Sequence, residues 1–377
     1  MAKKTYIGVD GVARKVKKIY VGVPTDDGSS SVARKLKKAY IGVGGVARPC
    51  FTGGELAYYG TATDLSNARY RLAATSVGNY ALFGGGYNGS SAFAKVDAYD
   101  TSLIHTTATD LFATICDLTA TNVGNYAIFS GGYDGNATYN GTFCAYSASL
   151  TKTTRGDAQT RVRLAATNVG NYALFGGGGF AGSYYATVDA YDTSLTHTIA
   201  TDLSKRLCDL AATNVGNYAL FGGGATSAVF ATVDAYDTSL TKTIATDLSV
   251  ARRNLTATNV GNYALFGGGT SNGVVSTVNA YDTSLTRTTT TSLSVARRNL
   301  AATNIGDYAL FGGGNGNSNN TFATIDAYDT SLTRTTATDL SVARNQLAAT
   351  SVGNYALFGG GGYNSSSVFA KVDAYCV

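Results

Sequence analysis

Short apolar segments separated by glycine-rich and polar segments recur along most of the chain. In the unit that begins at Leu248, four segments have the length and composition of β-strands: strand a at about 253–260, strand b at Tyr263–Gly267, strand c at about 275–281 and strand d at Leu285–Thr291. Strand b is a continuous apolar run, which is typical of a strand covered on both faces, whereas strand d is rich in Thr and carries a basic residue. This pattern predicts a four-stranded unit with strands a to c inside and strand d at an outer edge, where a charge discourages pairing with another sheet.

The unit is repeated seven times. The phrase Gly-Asn-Tyr-Ala-Leu-Phe-Gly-Gly-Gly, or a near copy, recurs at intervals of 45 to 47 residues and begins at Gly78, Gly124, Gly170, Gly216, Gly261, Gly306 and Gly353. A unit of this size cannot bury its apolar faces alone and must stack on its copies. The sequence therefore predicts an all-β fold, a seven-bladed β-propeller, with blades near 66–110, 111–157, 158–202, 203–247, 248–292, 293–339 and 340–377.

The two ends of the repeat region complement each other. The last copy stops at FAKVDAYCV, which is the end of strand c, and the segment ELAYYGTATDLSNAR before the first copy matches strand d and the turn that follows it. We therefore expect residues 55–65 to supply the outer strand of the seventh blade and to close the ring.

The variable loops predict which face binds. In an antiparallel meander, the b–c loops and the d–a connections lie on one face of the disc, and the a–b and c–d turns lie on the other. The b–c loops vary in length and are rich in Tyr, Asn, Ser and Gly, a composition found in adaptable recognition surfaces. Either these loops bind a ligand or they are tolerant solvent-exposed connections. The candidate ligand-binding residues in them are Tyr87, Asn88, Tyr133, Asp134, Tyr139, Phe180, Tyr184, Asn272, Asn317, Asn319, Tyr363 and Asn364.

The charged residues argue against catalysis in these loops. Asp134 is the one charged residue in all seven, whereas a polysaccharide-cleaving site normally needs a pair of carboxylates. The two histidines, His105 and His197, share their repeat position in strand d with Lys or Arg, which argues against a catalytic or metal-binding role. We expect a non-enzymatic protein with no cofactor and no bound metal, and a neutral, hydrogen-bonding ligand such as a glycan.

The five cysteines show no CxxC spacing, which argues against a zinc site or a disulfide framework. Cys50 and Cys376 flank the two ends that meet in the closed ring, so the sequence leaves open whether these two cysteines form a disulfide.

An arginine column runs through the d–a connections. It comprises Arg69, Arg161, Arg252, Arg297 and Arg344, and Ile115 and Leu207 replace it in blades two and four. Two interpretations are open: each arginine pairs with the aspartate of an Asp-Ala-Tyr-Asp strand, or the column forms an anion-binding ring near the central channel.

The paired Arg segment, the apolar strand ending in Gly-Gly and the later Tyr-Asp resemble the kelch repeat over residues 51–377. The tryptophan of that repeat is missing here, and the Thr-rich strand d occupies its place. The resemblance implies a propeller architecture and does not specify a ligand.

Residues 1–50 form a different, basic segment. They contain eleven Lys and Arg and three Asp, a net charge of +8, whereas the remaining residues sum to −3. Tyr-[Ile/Val]-Gly-Val and Val-Ala-Arg alternate in this segment, which predicts strands, but 50 residues of this kind are too few for a core of useful size. We therefore predict a basic β-rich attachment or oligomerisation module at 1–50 and a propeller at 51–377.

The segment resembles the N-terminal region of tail-associated proteins of phages and prophages of Gram-positive bacteria, where runs such as KVKKIYVGV and KKAYIGVGGVAR precede diverse distal domains. The resemblance implies attachment to other virion subunits and a homo-oligomer. The residues that would make the attachment are Tyr6, Arg14, Lys17, Lys18, Tyr20, Arg34, Lys37, Lys38, Tyr40 and Arg48. A basic segment also fits nucleic acid or a membrane surface, but the interleaved strand-forming residues disfavour both.

These patterns together predict a virion protein whose propeller binds a host-surface glycan or protein. The start MAKKTYIGVD lacks a signal-peptide pattern and no apolar run is long enough to span a bilayer, so we expect synthesis in the bacterial cytoplasm, no membrane insertion and a final location in the virion tail. Two alternatives remain: a structural subunit of a particle or filament, and an intracellular scaffold of the kelch type.

Overall fold

A computed structural model shows a propeller preceded by three β-hairpins. It describes the backbone of residues 6–9, 12–15, 20–24, 31–35, 39–43, 46–51, 54–134, 143–156, 160–318, 320–363 and 367–377, and the side chains of the same ranges from residue 54 onward except that of Tyr363. In this part of the chain no helix is long and apolar enough to cross a membrane.

Seven four-stranded antiparallel sheets form the seven blades, as the repeats predict. The strands a to d of blades one to three are, in order, Ala73–Val77, Tyr80–Gly84, Val96–Asp100 and His105–Ala108; Thr119–Val123, Tyr126–Ser130, Phe143–Ser147 and Lys152–Arg155; and Ala165–Val169, Tyr172–Gly176, Val188–Asp192 and His197–Ala200. Those of blades four and five are Ala211–Val215, Tyr218–Gly222, Val233–Asp237 and Lys242–Ala245; and Thr256–Val260, Tyr263–Gly267, Val278–Asp282 and Arg287–Thr290. Those of blades six and seven are Ala301–Ile305, Tyr308–Gly312, Ile325–Asp329 and Arg334–Ala337; and Ala348–Val352, Tyr355–Gly359, Val372–Cys376 and Ala57–Thr61. Two short hairpins, Gly179–Phe180 with Ser183–Tyr184 and Gly362–Tyr363 with Ser367–Val368, extend b–c loops.

The inner strands form a closed ring. Strand a of each blade lies beside strand a of the next, and Ala348–Val352 of blade seven lies beside Ala73–Val77 of blade one. Ala57–Thr61 pairs antiparallel with Val372–Cys376, and the Tyr58 hydroxyl donates a 2.6 Å hydrogen bond to Asp373 Oδ1. The prediction that the N-terminal side supplies the outer strand of blade seven is therefore confirmed.

The core lies between the blades. Each hydrophobic cluster joins two neighbouring blades; Leu174 and Val188 of blade three, for example, pack with Phe221 and Tyr236 of blade four. The buried Tyr236 hydroxyl also donates to the carbonyl of Thr201 in blade three at 2.7 Å. Burying tyrosine rings in this way stabilises neighbouring blades because the hydroxyl keeps a partner.

Some predicted strand limits were too wide. In blade five, strand a begins at Thr256 rather than near residue 253, and strand d covers only Arg287–Thr290. Strand a starts late because Asn254 has a left-handed backbone (φ 53°), which interrupts an extended strand. Leu285, with φ 63°, likewise belongs to the c–d turn.

The N-terminal segment contains three two-stranded antiparallel hairpins, so the prediction of strands is confirmed. Their strands are Tyr6–Val9 with Val12–Lys15, Tyr20–Pro24 with Ser31–Lys35, and Ala39–Val43 with Val46–Phe51. Each hairpin pairs a Tyr-[Ile/Val]-Gly-Val strand with the Val-Ala-Arg strand that follows it. Lys17, Lys18, Lys37 and Lys38 lie outside the described residues, as do the side chains of Tyr6, Arg14, Tyr20, Arg34, Tyr40, Arg48 and Cys50.

Candidate functional site at the mouth of the central channel

The d–a connections and the b–c loops lie on the same face, as predicted. Residues just before strand a form backbone bridges with the first residues of the b–c loop: Tyr70 with Tyr87, Cys116 with Tyr133, and Val162 with Gly179. The variable loops therefore surround the end of the central channel at which strand a begins.

Seven residues, one from each blade, form a closed ring at this end of the channel. Each has φ between 52° and 56°, and each backbone N–H donates to the carbonyl of its equivalent in the preceding blade at 2.9–3.2 Å. The last bond, from Arg71 N to Gln346 O at 2.9 Å, closes the circle. We call this set the mouth ring, and its members are Arg71, Asp117, Arg163, Asp209, Asn254, Asn299 and Gln346.

The mouth ring surrounds a cavity of about 670 Å³. The cavity is also lined by the leucine that follows each ring residue, and by Tyr133, Val162 and Arg253. Because the leucines are buried between blades, the ring backbone is fixed while its side chains differ from blade to blade. A concave site with a uniform frame and varied polar groups is suited to binding a small polar ligand or part of a larger one.

Charged and amide side chains occupy different parts of the mouth ring. Arg71 lies 3.6 Å from Asp117, and Arg163 lies 3.3 Å from Asp209. Burial raises the pKa of Asp117, and the positive charges of Arg71 and Arg163 oppose this rise. The ring positions of blades five to seven carry the neutral amides Asn254, Asn299 and Gln346, which offer both donors and acceptors.

Three tyrosines of blades one and two flank Arg71, and we call them the aromatic corner: Tyr70, Tyr87 and Tyr133. The Tyr70 and Tyr87 rings meet edge to face with centroids 5.8 Å apart. The Arg71 guanidinium lies 5.5 Å from the Tyr70 ring centroid and donates to the Tyr133 hydroxyl at 3.3 Å. A sugar ring has apolar C–H faces, which pack on aromatic rings, and hydroxyl groups, which need hydrogen-bond partners. The aromatic corner and the mouth ring place both kinds of group side by side.

Of the predicted loop residues, Tyr133 lines the cavity and Tyr87 belongs to the aromatic corner. Asn88 holds its own loop by accepting from the backbone N–H of Ser90 and Ser91, and Asn317 Oδ1 accepts from the N–H of Val274 in the neighbouring blade at 2.9 Å. The remaining described candidates do not line the cavity; they are Asp134, Phe180, Tyr184 and Asn272. Tyr139, Asn319, Asn364 and the side chain of Tyr363 lie outside the described residues.

The arginine column is buried inside the blades. Arg69, Arg297 and Arg344 have no exposed side-chain surface and donate to Asp97, Asp326 and Asp373 at 2.6, 2.9 and 2.7 Å. Arg161 is paired with Asp189 in the same way. Pairing with the aspartate of strand c is therefore confirmed for four members of the column, and a ligand in the channel does not reach them.

The same aspartates contact the basic column of strand d. His105 Nε2 lies 2.7 Å from Asp97 Oδ1, and Arg334 Nη1 donates to Asp326 Oδ1 at 2.8 Å. The Ser66 hydroxyl also donates to Asp97 rather than to the histidine, so the group has no serine activated by an imidazole base. Among the described residues, no group of His, Cys, Asp or Glu has the arrangement of a metal site.

Blade five departs from this pattern because Asn279 replaces the aspartate. Arg252 is fully buried and donates to Asn279 Oδ1 at 3.1 Å, and its burial lowers the pKa of the guanidinium to about 10. No carboxylate among the described residues lies within 4 Å of Arg252 to balance its charge.

We predict that Asn279→Asp stabilises the protein by about 1–3 kcal/mol, because it gives a buried cation a charged hydrogen-bond partner. Chemical denaturation at neutral pH measures the change. Asn262→Asp, at an exposed a–b turn of the same blade, is the matched control and should change the free energy of unfolding by less than about 0.5 kcal/mol. A destabilised Asn279→Asp variant would contradict the prediction.

A row of asparagine side chains crosses the other end of the inner strands in blades two to six. Asn122 Nδ2 donates to the Ser76 carbonyl at 3.0 Å, and Asn168 Nδ2 donates to Asn122 Oδ1 at 2.5 Å. The same side-chain contact joins Asn214 to Asn168, Asn259 to Asn214, and Asn304 to Asn259. These asparagines link successive blades on the side away from the mouth ring, so we assign them a structural role.

The mouth ring was not among the sites predicted from the sequence. Its signal is the column immediately before an invariant leucine, at positions 71, 117, 163, 209, 254, 299 and 346, where the residues change from Arg to Asp to amide in an otherwise uniform frame. The arginine column two positions earlier is charged and repeated, and this regularity reflects its buried pairing with strand c.

The fold is that of a seven-bladed β-propeller, with a polar cavity at one mouth of its channel. The chain is similar to the solved structure of YjhT, with a TM-score of 0.56 and 10% sequence identity, over 82% of this chain and 95% of that one. At this identity the likeness shows the fold alone. No protein-family model matches the chain, and no curated protein matches it.

Proposed function

We propose that this chain is a non-enzymatic, tail-associated virion protein whose propeller binds a host-surface glycan at the mouth ring. The observation that supports this most is the 670 Å³ cavity on the face of the variable loops, where the seven blades add two Arg, two Asp, two Asn and one Gln side chain to one fixed ring. Tyr133 of the aromatic corner lines the cavity and offers a surface for a sugar ring, and the amides of blades five to seven offer hydrogen bonds to hydroxyl groups. A host protein that presents the same groups is the other receptor we consider.

Binding without cleavage fits the charges of the mouth. Glycoside hydrolysis normally uses two carboxylates, one as an acid and one as a base or nucleophile. The two carboxylates of the mouth ring, Asp117 and Asp209, each lie within 4 Å of an arginine. In the proposed virion, the kelch-like propeller is the distal module and residues 1–50 attach it to other tail subunits, so several copies on one particle would increase avidity.

The expected result for the double variant Asn254→Ala/Asn299→Ala is binding to glycan arrays and host cells that is at least about tenfold weaker, since two hydrogen-bonding amides are lost. Tyr133→Ala should weaken binding similarly by removing part of the aromatic corner. Asn217→Ala, at an exposed turn on the opposite face, is the matched control and should bind normally. Absence of binding to any glycan and to any host cell by the full chain would reject the proposed function.

A structural subunit of a particle or filament is the second candidate. Ile199 and Ile244 lie on the outer strands of adjacent blades three and four, where they are 63% and 62% exposed. Exposed apolar side chains at a sheet edge favour contacts with other subunits. Electron microscopy of the full chain separates the two candidates, since ordered polymers support the structural subunit and isolated discs or small oligomers support the receptor-binding module.

A further inference from the structure

Arg253 places an unbalanced positive charge at the cavity. It lines the cavity and is exposed, whereas Arg71 and Arg163 lie beside Asp117 and Asp209. In the part of the chain that the structure describes, no carboxylate lies within 4 Å of the Arg253 guanidinium. The three arginines and two aspartates that line the cavity therefore leave a net charge of +1, located at blade five.

The surroundings of Arg253 suit an anion. Asn254 and Asn299 of the mouth ring line the same cavity, and each amide nitrogen carries two N–H donors; Asn299 Nδ2 donates one of them to Asn315 Oδ1 at 3.0 Å. In a ring of seven blades, blade five lies directly across the channel from the boundary between blades one and two. The unbalanced cation and the aromatic corner are thus on opposite sides of the mouth.

We propose that the ligand is an acidic glycan whose carboxylate, phosphate or sulfate group binds Arg253 while a sugar ring of the same ligand contacts Tyr133, the member of the aromatic corner that lines the cavity. This deepens the proposed function and rests on it. A guanidinium donates two parallel N–H bonds to an oxyanion, and such charge-assisted bonds are stronger than neutral ones. The composition of the b–c loops alone predicted a neutral ligand. Arg253 belongs to a d–a connection, so its charge was not counted in that prediction, and including it favours an anionic ligand.

Matched probes test this with the full chain. Binding is measured to oligogalacturonate and its methyl ester, to dextran sulfate and dextran, and to phosphorylated mannan and its dephosphorylated form, at low and at physiological salt. Arg253→Gln is compared with Arg206→Gln, which removes another exposed charge, from blade four and outside the cavity. We expect at least one acidic probe to bind about tenfold or more tightly than its neutral partner, with a preference that Arg253→Gln abolishes, Arg206→Gln retains and salt weakens. The pair that responds identifies the anion.

Each other outcome overturns the proposal. Equal binding of the acidic and neutral members, or a preference that survives in Arg253→Gln, rejects the anion site and leaves the proposed glycan-binding function standing. An equal loss in Arg253→Gln and Arg206→Gln shows a non-specific effect of net charge and rejects it as well. If none of the six probes binds, the acidic-glycan inference fails, and the glycan-array and host-cell assay then decides the proposed function separately.

Discussion

Asp326→Asn is expected to lower the free energy of unfolding by about 3–5 kcal/mol, because it removes the negative partner of a buried cation. Asp326 is fully buried and accepts hydrogen bonds from Arg297 at 2.9 Å and from Arg334 at 2.8 Å. Asparagine preserves the shape of the side chain but removes the charge that balances both guanidinium groups. Chemical denaturation followed by circular dichroism measures the loss.

The variant should still fold, because blade five forms with Asn279 at the equivalent place. Asp307→Asn is the matched control, since Asp307 lies at the exposed a–b turn of the same blade, where the equivalent residue of every other blade is Asn. We expect the control to change stability by less than about 0.5 kcal/mol. Equal effects of the two substitutions would show that the buried pair is not what stabilises blade six.

Gly223→Ala should lower the free energy of unfolding by about 2–5 kcal/mol, as the sum of backbone strain and overpacking. Gly223 has φ +70°, and a Cβ atom there would lie 2.6 Å from the carbonyl oxygen of Arg252 in the next blade. That carbonyl accepts from the N–H of Gly224 at 2.8 Å, so it cannot move away without losing a hydrogen bond between blades. Thermal and chemical denaturation measure the effect.

Gly273→Ala provides the comparison for Gly223→Ala. Gly273 lies in the b–c loop of blade five, and the nearest atom to a Cβ built there is Asn317 Nδ2 at 3.5 Å, an ordinary contact. Its substitution should leave stability within about 0.5 kcal/mol of the original protein. A tolerated Gly223→Ala would mean that the glycine triplets are not required for blade packing.

The repeats predicted the fold because they carry local information. The apolar phrase Tyr-Ala-Leu-Phe-Gly, the turn glycines and the spacing between copies all act within one blade or between adjacent blades. The same property allowed the closing strand to be predicted, since residues 55–65 match the strand that the last copy lacks. Strand limits were less accurate because they depend on left-handed residues such as Asn254, whose backbone is fixed by its neighbours in the ring.

The site was predicted less completely. The face that carries it follows from the meander, and Tyr133 was identified from the composition of its loop. Arg71 and Asp117, by contrast, are 46 residues apart in sequence and become neighbours only because two blades present the same position to the channel. The buried position of Arg69 also had to come from packing, because an arginine paired with an aspartate and one that faces a ligand look alike in sequence.

The sequence by itself determined the seven units, their four-stranded form and the way the ring closes, because each depends on contacts within a unit or on a pattern repeated between neighbours. Only the tertiary structure decided which charges are buried and which surround the cavity. Burial and the approach of distant side chains are set by the packing of whole blades around one axis, and a periodic pattern in the chain does not encode the distance of a side chain from that axis.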